Sequence, residues 1–306
     1  MLFRYAYRGG VWVDLEHPTE EEIRSIVEEF SISERLQTEL FEPTPAPLVA
    51  SDAGVIFLVL HFPTHGTVDG EVEDQEVDFV IGANFIITVR YKVVASLRSL
   101  QKLLETQKIV SPDDTMESDT LLEIIFIHLY TSVRDHINTV AGRLTHIEHD
   151  MFNGFERTTV RAISNTSREF LHTEASLANQ EESLGRFLKA CITKGIFGTT
   201  FTERAERILA ERAQVARLGA TYRAVATELR ETNASLLEAH QNEIMKKLTV
   251  ISFGVLPLEL IALVFGMHAL GTPLEQDPYA FWIILAIMLV VGALMVTFFA
   301  RRRWFN

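Results

Sequence analysis

Two long apolar segments near the C-terminus constrain the fold of this chain more than any other feature. Residues 248–267 contain one charged residue, Glu259, and residues 279–300 contain none. At a rise of about 1.5 Å per residue, either segment could cross a hydrocarbon layer of about 30 Å as a helix. Residues 268–278 form a short link between them, so the sequence predicts two transmembrane helices, the first over 248–267 and the second over 279–300.

The charges that flank these segments predict their orientation. Lys246 and Lys247 precede the first segment, and residues 301–303, at the start of the basic tail 301–306, are all Arg. The link has no Lys or Arg and carries Glu275 and Asp277. Because basic residues concentrate on the cytoplasmic side of a membrane, we expect both termini in the cytoplasm and the link outside it. An integral protein of the cell inner (plasma) membrane fits this pattern.

The composition argues against several classes of function. The chain has 41 acidic and 28 basic residues and a net charge of −13, which disfavours nucleic acid as a partner. One cysteine, Cys191, allows neither an intrachain disulfide nor a cysteine metal cluster. No set of residues in the sequence matches a hydrolytic or redox active site, so we expect neither an enzyme nor a bound cofactor.

Residues 1–112 have the pattern of a cytoplasmic α/β domain. Thr19 and Glu22 have the spacing of a capping box, which predicts a helix to about residue 30. A further helix is predicted over 97–107. Runs of β-branched and aromatic residues predict strands over residues 11–15, 55–62, 77–81 and 84–91.

Residues 113–247 have the pattern of a bundle of long helices that ends in a stalk. Apolar residues recur every three or four positions between 122 and 151, and a second helix is predicted over 158–192. From residue 202 a third helix can run into the first apolar segment, since no proline interrupts it before 257. Its seven-residue repeat indicates either packing against other helices or a coiled coil. The repeat comprises Ile208, Val215, Tyr222, Leu229 and Leu236.

Two groups of polar residues could bind a cation. His146, His149 and Asp150 lie close together on the first long helix, where a solvated helix face is favoured over a metal clamp. Thr249, Ser252 and Glu259 share one stripe of the first apolar segment. A charge at bilayer depth costs about 2.5–3.5 kcal/mol and usually faces an interior or aqueous path. The stripe therefore predicts a pore-lining face, the alternative being a Glu259 that is hydrogen-bonded inside a helix bundle.

The C-terminal part resembles the CorA family of divalent-cation transporters. The resemblance is carried by residues 242–249 (NEIMKKLT), Pro257, residues 265–268 (FGMH) and residues 301–305 (RRRWF). It implies an α+β membrane protein that assembles as a homopentameric funnel in the lipid bilayer, with a cytoplasmic α/β domain, a long helical stalk and two transmembrane helices. The implied function is the movement of Mg²⁺, Co²⁺, Ni²⁺ or Zn²⁺ through the pentameric pore.

The resemblance also implies which residues meet the cation. Gly266, Met267 and His268 take the place of the Gly-Met-Asn motif of the family at the outer mouth, with His268 replacing the Asn. Met245, Leu248 and Leu256 align with the apolar constrictions of the pore, Glu259 aligns with a pore-facing position, and Glu275 and Asp277 would attract cations.

Two alternatives stay open at this point. An imidazole suits zinc, nickel, copper or iron better than magnesium, so His268 favours a zinc-type transporter of the same superfamily, with or without proton coupling. A membrane-anchored coiled-coil scaffold without transport activity would explain the seven-residue repeat and the hairpin. It would explain neither Glu259 nor the residues shared with the family.

Overall fold

The computed structural model of the chain describes residues 2–63, 74–110, 116–267 and 278–301. Its contacts divide the chain into two compact units, Met1–Arg230 and Glu231–Asn306. The strands are β1 (Leu2–Tyr7), β2 (Gly10–Glu16), β3 (Leu48–Asp52), β4 (Val55–Pro63), β5 (Asp74–Ile81) and β6 (Phe85–Arg90). The helices are α1 (Glu20–Glu29), α2 (Glu34–Glu39), α3 (Ala95–Val110), α4 (Ser118–Phe152), α5 (Glu156–Lys194), α6 (Phe201–Gly266) and α7 (Ala280–Arg301).

The first unit contains one mixed sheet of six strands in the order β1-β2-β6-β5-β4-β3. Only β2 and β6 pair in parallel among these strands, and the other four pairs are antiparallel. The predicted strands over 11–15, 55–62, 77–81 and 84–91 are confirmed by β2, β4, β5 and β6. The sequence did not predict β1, β3 or α2.

Both faces of the sheet are covered by helices. One face packs against α1 and α2 through a cluster that includes Phe57, Val80 and Ile87. On the other face Phe79 stacks on Phe126 of α4, with ring centroids 4.8 Å apart. Residues such as these contribute about 1.5–3 kcal/mol each when fully buried, and they fix the long helices to the sheet.

The helix ends follow local sequence signals. Thr19 Oγ1 accepts a hydrogen bond from the amide of Glu22, whose carboxylate accepts one from the amide of Thr19, so the predicted capping box is present. Gly195 ends α5 at φ 66°, a left-handed conformation that costs glycine little. The predicted helices over 97–107, 122–151 and 158–192 are confirmed by α3, α4 and α5.

The seven-residue repeat of α6 packs within the same chain over its first half. Ile208 and Val215 are fully buried, and Tyr222 stacks on Phe170 of α5 at 6.0 Å. Arg212 of α6 donates a hydrogen bond of 2.8 Å to the carbonyl of Leu177 on α5. Of the two alternatives that the repeat left open, packing against other helices holds here.

Candidate pore-lining face of α6

Two helices of the second unit are long and apolar enough to cross a membrane, by length and composition. They are the C-terminal part of α6 and the segment Phe281–Phe298 of α7. Most of their large apolar side chains are exposed in the single chain, among them Phe253, Leu260 and Leu289. Exposed apolar surface of this extent needs lipid or other protein to cover it.

The two apolar helices approach each other at Leu258 of α6 and Gly292 of α7, and each helix has one less exposed face. The less exposed residues of α7 recur at helical spacing, and so do those of α6. A methyl group added at Gly292 would lie 3.9 Å from Leu258 Cδ1, which is ordinary van der Waals contact. The packing face of α7 comprises Ile284, Met288, Val291, Gly292 and Met295, and that of α6 comprises Val250, Gly254, Pro257, Leu258, Ile261 and Phe265.

The predicted pore residues lie on the opposite face of α6. At about 100° per residue, the centre of this set lies about half a turn from the centre of the packing face. Every member is exposed in the single chain, so α7 covers none of them. The set comprises Met245, Leu248, Thr249, Ser252, Leu256, Glu259, Gly266 and Met267.

Local chemistry gives this face several oxygen atoms. Thr249 Oγ1 donates a hydrogen bond of 2.8 Å to the carbonyl of Met245, which leaves the hydroxyl lone pairs free to accept from water or to approach a cation. Pro257 has no N–H, so the carbonyl of Phe253, six residues before Glu259, lacks its helical donor. The stripe thus combines a carboxylate with hydroxyl groups, and Pro257 on the packing face adds a position where the helix can bend.

The structure brings together part of the predicted outer mouth. Gly266 is the last residue of α6, and the amide of Met267 donates to the carbonyl of Leu263 at 3.1 Å. The other residues predicted for the mouth and the link, His268, Glu275 and Asp277, lie outside the described residues.

In the parts of the chain that the structure describes, no three His, Cys, Asp or Glu side chains are placed to hold a metal ion. His149 and Asp150 are 3.8 Å apart on the exposed surface of α4. Asn153 Nδ2 donates a hydrogen bond to the carbonyl of His149 at the end of that helix. This arrangement is that of a solvated helix face, as favoured above.

Sequence reasoning missed a buried group of ionisable residues in the first unit. Glu76 and Asp78 of β5, His61 of β4 and Tyr91 after β6 lie together between the sheet and the chain that follows α2. Burial and the neighbouring Glu76 raise the pKa of Asp78 well above its ordinary value. The only sequence signal is that Glu76 and Asp78 alternate with Val77 and Phe79, which is also typical of a strand with one solvated face.

These features define an α-helical membrane protein with an N-terminal α/β unit and a polar stripe on its first apolar helix. The sequence profile of the family described as CorA-like Mg2+ transporter protein matches residues 7–302. The chain belongs to this family, so the resemblance seen in the sequence is confirmed.

Individual relatives share both sequence and fold. The Cobalt/magnesium transport protein CorA of Methanocaldococcus jannaschii is 24% identical over 297 residues, which cover 96% of this chain and 91% of that protein. The complete structure of the CorA magnesium transporter from the same organism superposes with a TM-score of 0.81, covering 97% of this chain and 92% of that one. The full-length CmaX protein is 16% identical, with a TM-score of 0.65 and coverage of 96% and 89%. The predicted architecture, an α/β unit, long helices and two C-terminal apolar helices, is confirmed.

Proposed function

We propose that five copies of this chain form a transporter or channel that moves divalent cations across the inner membrane, with α6 lining the pore. The observation that carries the proposal is the placement of Thr249, Ser252 and Glu259 on the face of α6 opposite to α7. In a ring of copies, α7 would lie outside and face lipid, while this stripe would face the axis. Membership of the family and the cobalt and magnesium named for its members support the choice of cation.

The proposed path follows the stripe from the outside inwards. Glu275 and Asp277 raise the local concentration of cations at the outer link, and Gly266, Met267 and His268 select them at the mouth. Glu259, Ser252 and Thr249 then supply oxygen atoms, which magnesium prefers to nitrogen or sulfur. Leu256, Leu248 and Met245 form apolar constrictions, which can stop conduction by excluding water.

The membrane potential and the concentration gradient drive the movement. One elementary charge moved across 100 mV corresponds to about 2.3 kcal/mol, and a divalent cation gains twice that on entering a negative cytoplasm. Both termini lie in the cytoplasm in this proposal, which follows from Lys246, Lys247 and the arginines at 301–303.

The experiment that tests the proposal measures cation flux in proteoliposomes. Purified protein is reconstituted, a negative internal potential is imposed, and the uptake of Mg²⁺, Co²⁺, Ni²⁺ and Zn²⁺ is followed with internal dyes. We expect Glu259→Gln to lower uptake at least tenfold if each carboxylate contributes about 1.4 kcal/mol or more to cation entry.

Glu243→Gln is the matched control. Glu243 is also an acidic residue of α6, pairs with Lys247 at 2.7 Å, and lies at the angular position of the packing face. Its substitution should leave uptake within about twofold of the wild-type rate. Equal effects of the two substitutions would contradict the assignment of the pore face, and native mass spectrometry that finds no pentamer would contradict the assembly.

A zinc-type, proton-coupled transporter is the second candidate, favoured by His268. Imidazole nitrogen binds zinc and nickel well, and it titrates near physiological pH. Zinc uptake that exceeds magnesium uptake and depends on an imposed pH gradient would favour this candidate. His268→Asn should then shift the preference towards magnesium. A chain that carries no cation under any of these conditions would instead fit a membrane-anchored scaffold.

A further inference from the structure

A connector between α2 and β3, residues 40–47, is fastened to the sheet by buried ionisable groups. The amide of Thr44 donates to both carboxylate oxygens of Glu76 at 2.9 Å, and Thr44 Oγ1 donates to Oε1 at 3.1 Å. His61 Nε2 lies 2.8 Å from the carbonyl of Thr44. Tyr91 Oη donates to the carbonyl of Leu40 at 2.9 Å. The connector is thus held at its start and at its middle by side chains of the sheet.

Asp78 lies at the centre of these contacts, and its surroundings favour the protonated form of its carboxyl group. The residue is fully buried, and its Oδ1 has no hydrogen-bond donor among the described residues. Its neighbour in the cluster is the carboxyl group of Glu76, which accepts from Thr44 and His61. Glu76 and Asp78 are two residues apart on β5, so their side chains lie on the same face of the strand. Two ionised carboxylates there, out of water, would repel each other, so one shared proton is the arrangement that satisfies both.

The remaining charged groups around Asp78 agree with this assignment. Glu39 of α2 adds a further negative charge, and Tyr91 Oη lies 3.1 Å from Oδ2. His61 faces Glu76 at 3.4 Å from Nε2 to Oε2, and this contact raises the pKa of the imidazole. The groups that act most strongly on Asp78, namely Glu76, Tyr91 and Glu39, carry no positive charge, so protonation is the way in which its carboxyl group becomes neutral.

We propose that the proton shared by Asp78 and Glu76 controls the connector: it stays fastened to the sheet while Asp78 is protonated and is released when Asp78 loses its proton. Release would act on more than the connector itself. Pro45, Ala46 and Pro47 form one wall of a cleft of about 400 Å³ whose other wall is α5, where Ser183 Oγ donates to the carbonyl of Pro47 at 3.4 Å. The cleft would change shape with the pH of the compartment that contains the first unit.

The direction in which stability changes with pH follows from the direction of the Asp78 pKa shift. The folded state holds the Asp78 proton to a higher pH than the unfolded state does, since the pKa of Asp78 is raised. The stabilising effect of that proton is complete below the ordinary aspartate pKa and is lost as pH rises through the raised value. Within that window the unfolding equilibrium constant grows by up to tenfold per pH unit from this group alone. Deprotonation of His61, whose pKa is raised by its contact with Glu76, acts in the same direction.

The test follows the mobility of the connector on the full chain in detergent. A nitroxide spin label is attached at Ala46→Cys, an exposed position, and its spectrum is recorded from about pH 5 to pH 10. The native thiol, Cys191, is fully buried and does not compete for the label. We expect the label to become mobile as pH rises in the wild-type background. Asp78→Asn should stay immobile over the same range, because its amide donates to Glu76 and has no proton to lose.

Two further variants make the outcome decisive. Glu42→Gln changes an exposed carboxylate of the same connector and should leave the transition unchanged. Glu39→Gln removes a negative charge that raises the pKa of Asp78 and makes none of the bonds to the connector described above, so the transition should move to lower pH, and this variant decides the matter if Asp78→Asn does not fold. A wild-type spectrum that does not depend on pH, an unchanged transition in Asp78→Asn, or a Glu39→Gln midpoint that stays or rises would each overturn the proposal. The readout does not depend on cation transport.

Discussion

Replacing Arg90 by methionine should destabilise the first unit strongly. Arg90 is 1% exposed and donates to Asp14 Oδ2 from Nε at 3.1 Å and from Nη2 at 2.8 Å. Its Nη1 lies 2.6 Å from Glu16 Oε2 and 3.2 Å from the carbonyl of Val94. The side chain therefore neutralises two buried carboxylates where the parallel strands β2 and β6 end.

The expected loss in the free energy of unfolding follows from the partners that Asp14 and Glu16 keep after Arg90 is replaced. Asp14 would keep hydrogen bonds from Thr88 and Gln101, and Glu16 would keep Arg98, but no cation would remain against Asp14. Breaking a buried pair on one side costs about 3–5 kcal/mol. Since a domain is stable by about 5–15 kcal/mol, this is a large share of the free energy of unfolding.

Trp12 gives a local signal for the measurement. It is fully buried, and its Nε1 donates to Thr88 Oγ1 at 3.0 Å, within the same network. Denaturant unfolding of the full chain in detergent is followed by fluorescence, in a background where Trp282 and Trp304 are replaced by Phe. The exposed pair of Arg8 and Glu117, 3.4 Å apart, supplies the control Arg8→Met, which should cost about 0–1 kcal/mol.

A second substitution separates lost charge pairing from lost packing. If the unpaired carboxylate causes the loss, Asp14→Asn added to Arg90→Met should recover part of the stability. A loss below about 1 kcal/mol for Arg90→Met, or a double variant that is less stable than Arg90→Met alone, would refute the reasoning.

Three further substitutions or treatments test other parts of the fold. Burial raises the pKa of the Cys191 thiol to about 12, so maleimide at neutral pH should label it only after denaturant unfolds the first unit, as mass spectrometry would show. Thr19→Ala removes the cap of α1 and should lower the free energy of unfolding by about 1 kcal/mol in the fluorescence assay. Gln180→Leu leaves the buried hydroxyl of Tyr130 without the acceptor that now lies 2.9 Å away, and it should cost about 1–3 kcal/mol in the same assay.

The sequence predicted the elements whose signals are local. The capping box at Thr19 marks the start of α1, because it depends on a few adjacent residues. The elements that were missed, β1, β3 and α2, are short or lie at the edges of the sheet. Their burial depends on neighbours that are distant in the chain.

The candidate pore face was predictable for a similar reason. The helical period alone places Thr249, Ser252 and Glu259 on one stripe, and the structure adds that α7 packs on the other side. The seven-residue repeat of α6 could not be assigned, since the same spacing suits packing within a chain and between chains. Asp78 was missed because its neighbour Tyr91 is brought to it by the pairing of β5 with β6.

Pro257 has a consequence for what can surround α6. A carbonyl without its helical donor costs several kcal/mol in pure hydrocarbon, where no water replaces the lost bond. The free carbonyl of Phe253 therefore requires water, a hydroxyl group or another helix within reach. Pro257 lies on the face that packs against α7, so a hydroxyl group of α6 itself, a local change in the helical hydrogen-bond pattern or α7 can meet this requirement as well as water can. The proline thus creates a need for a hydrogen-bond donor inside the same apolar helix that carries Glu259.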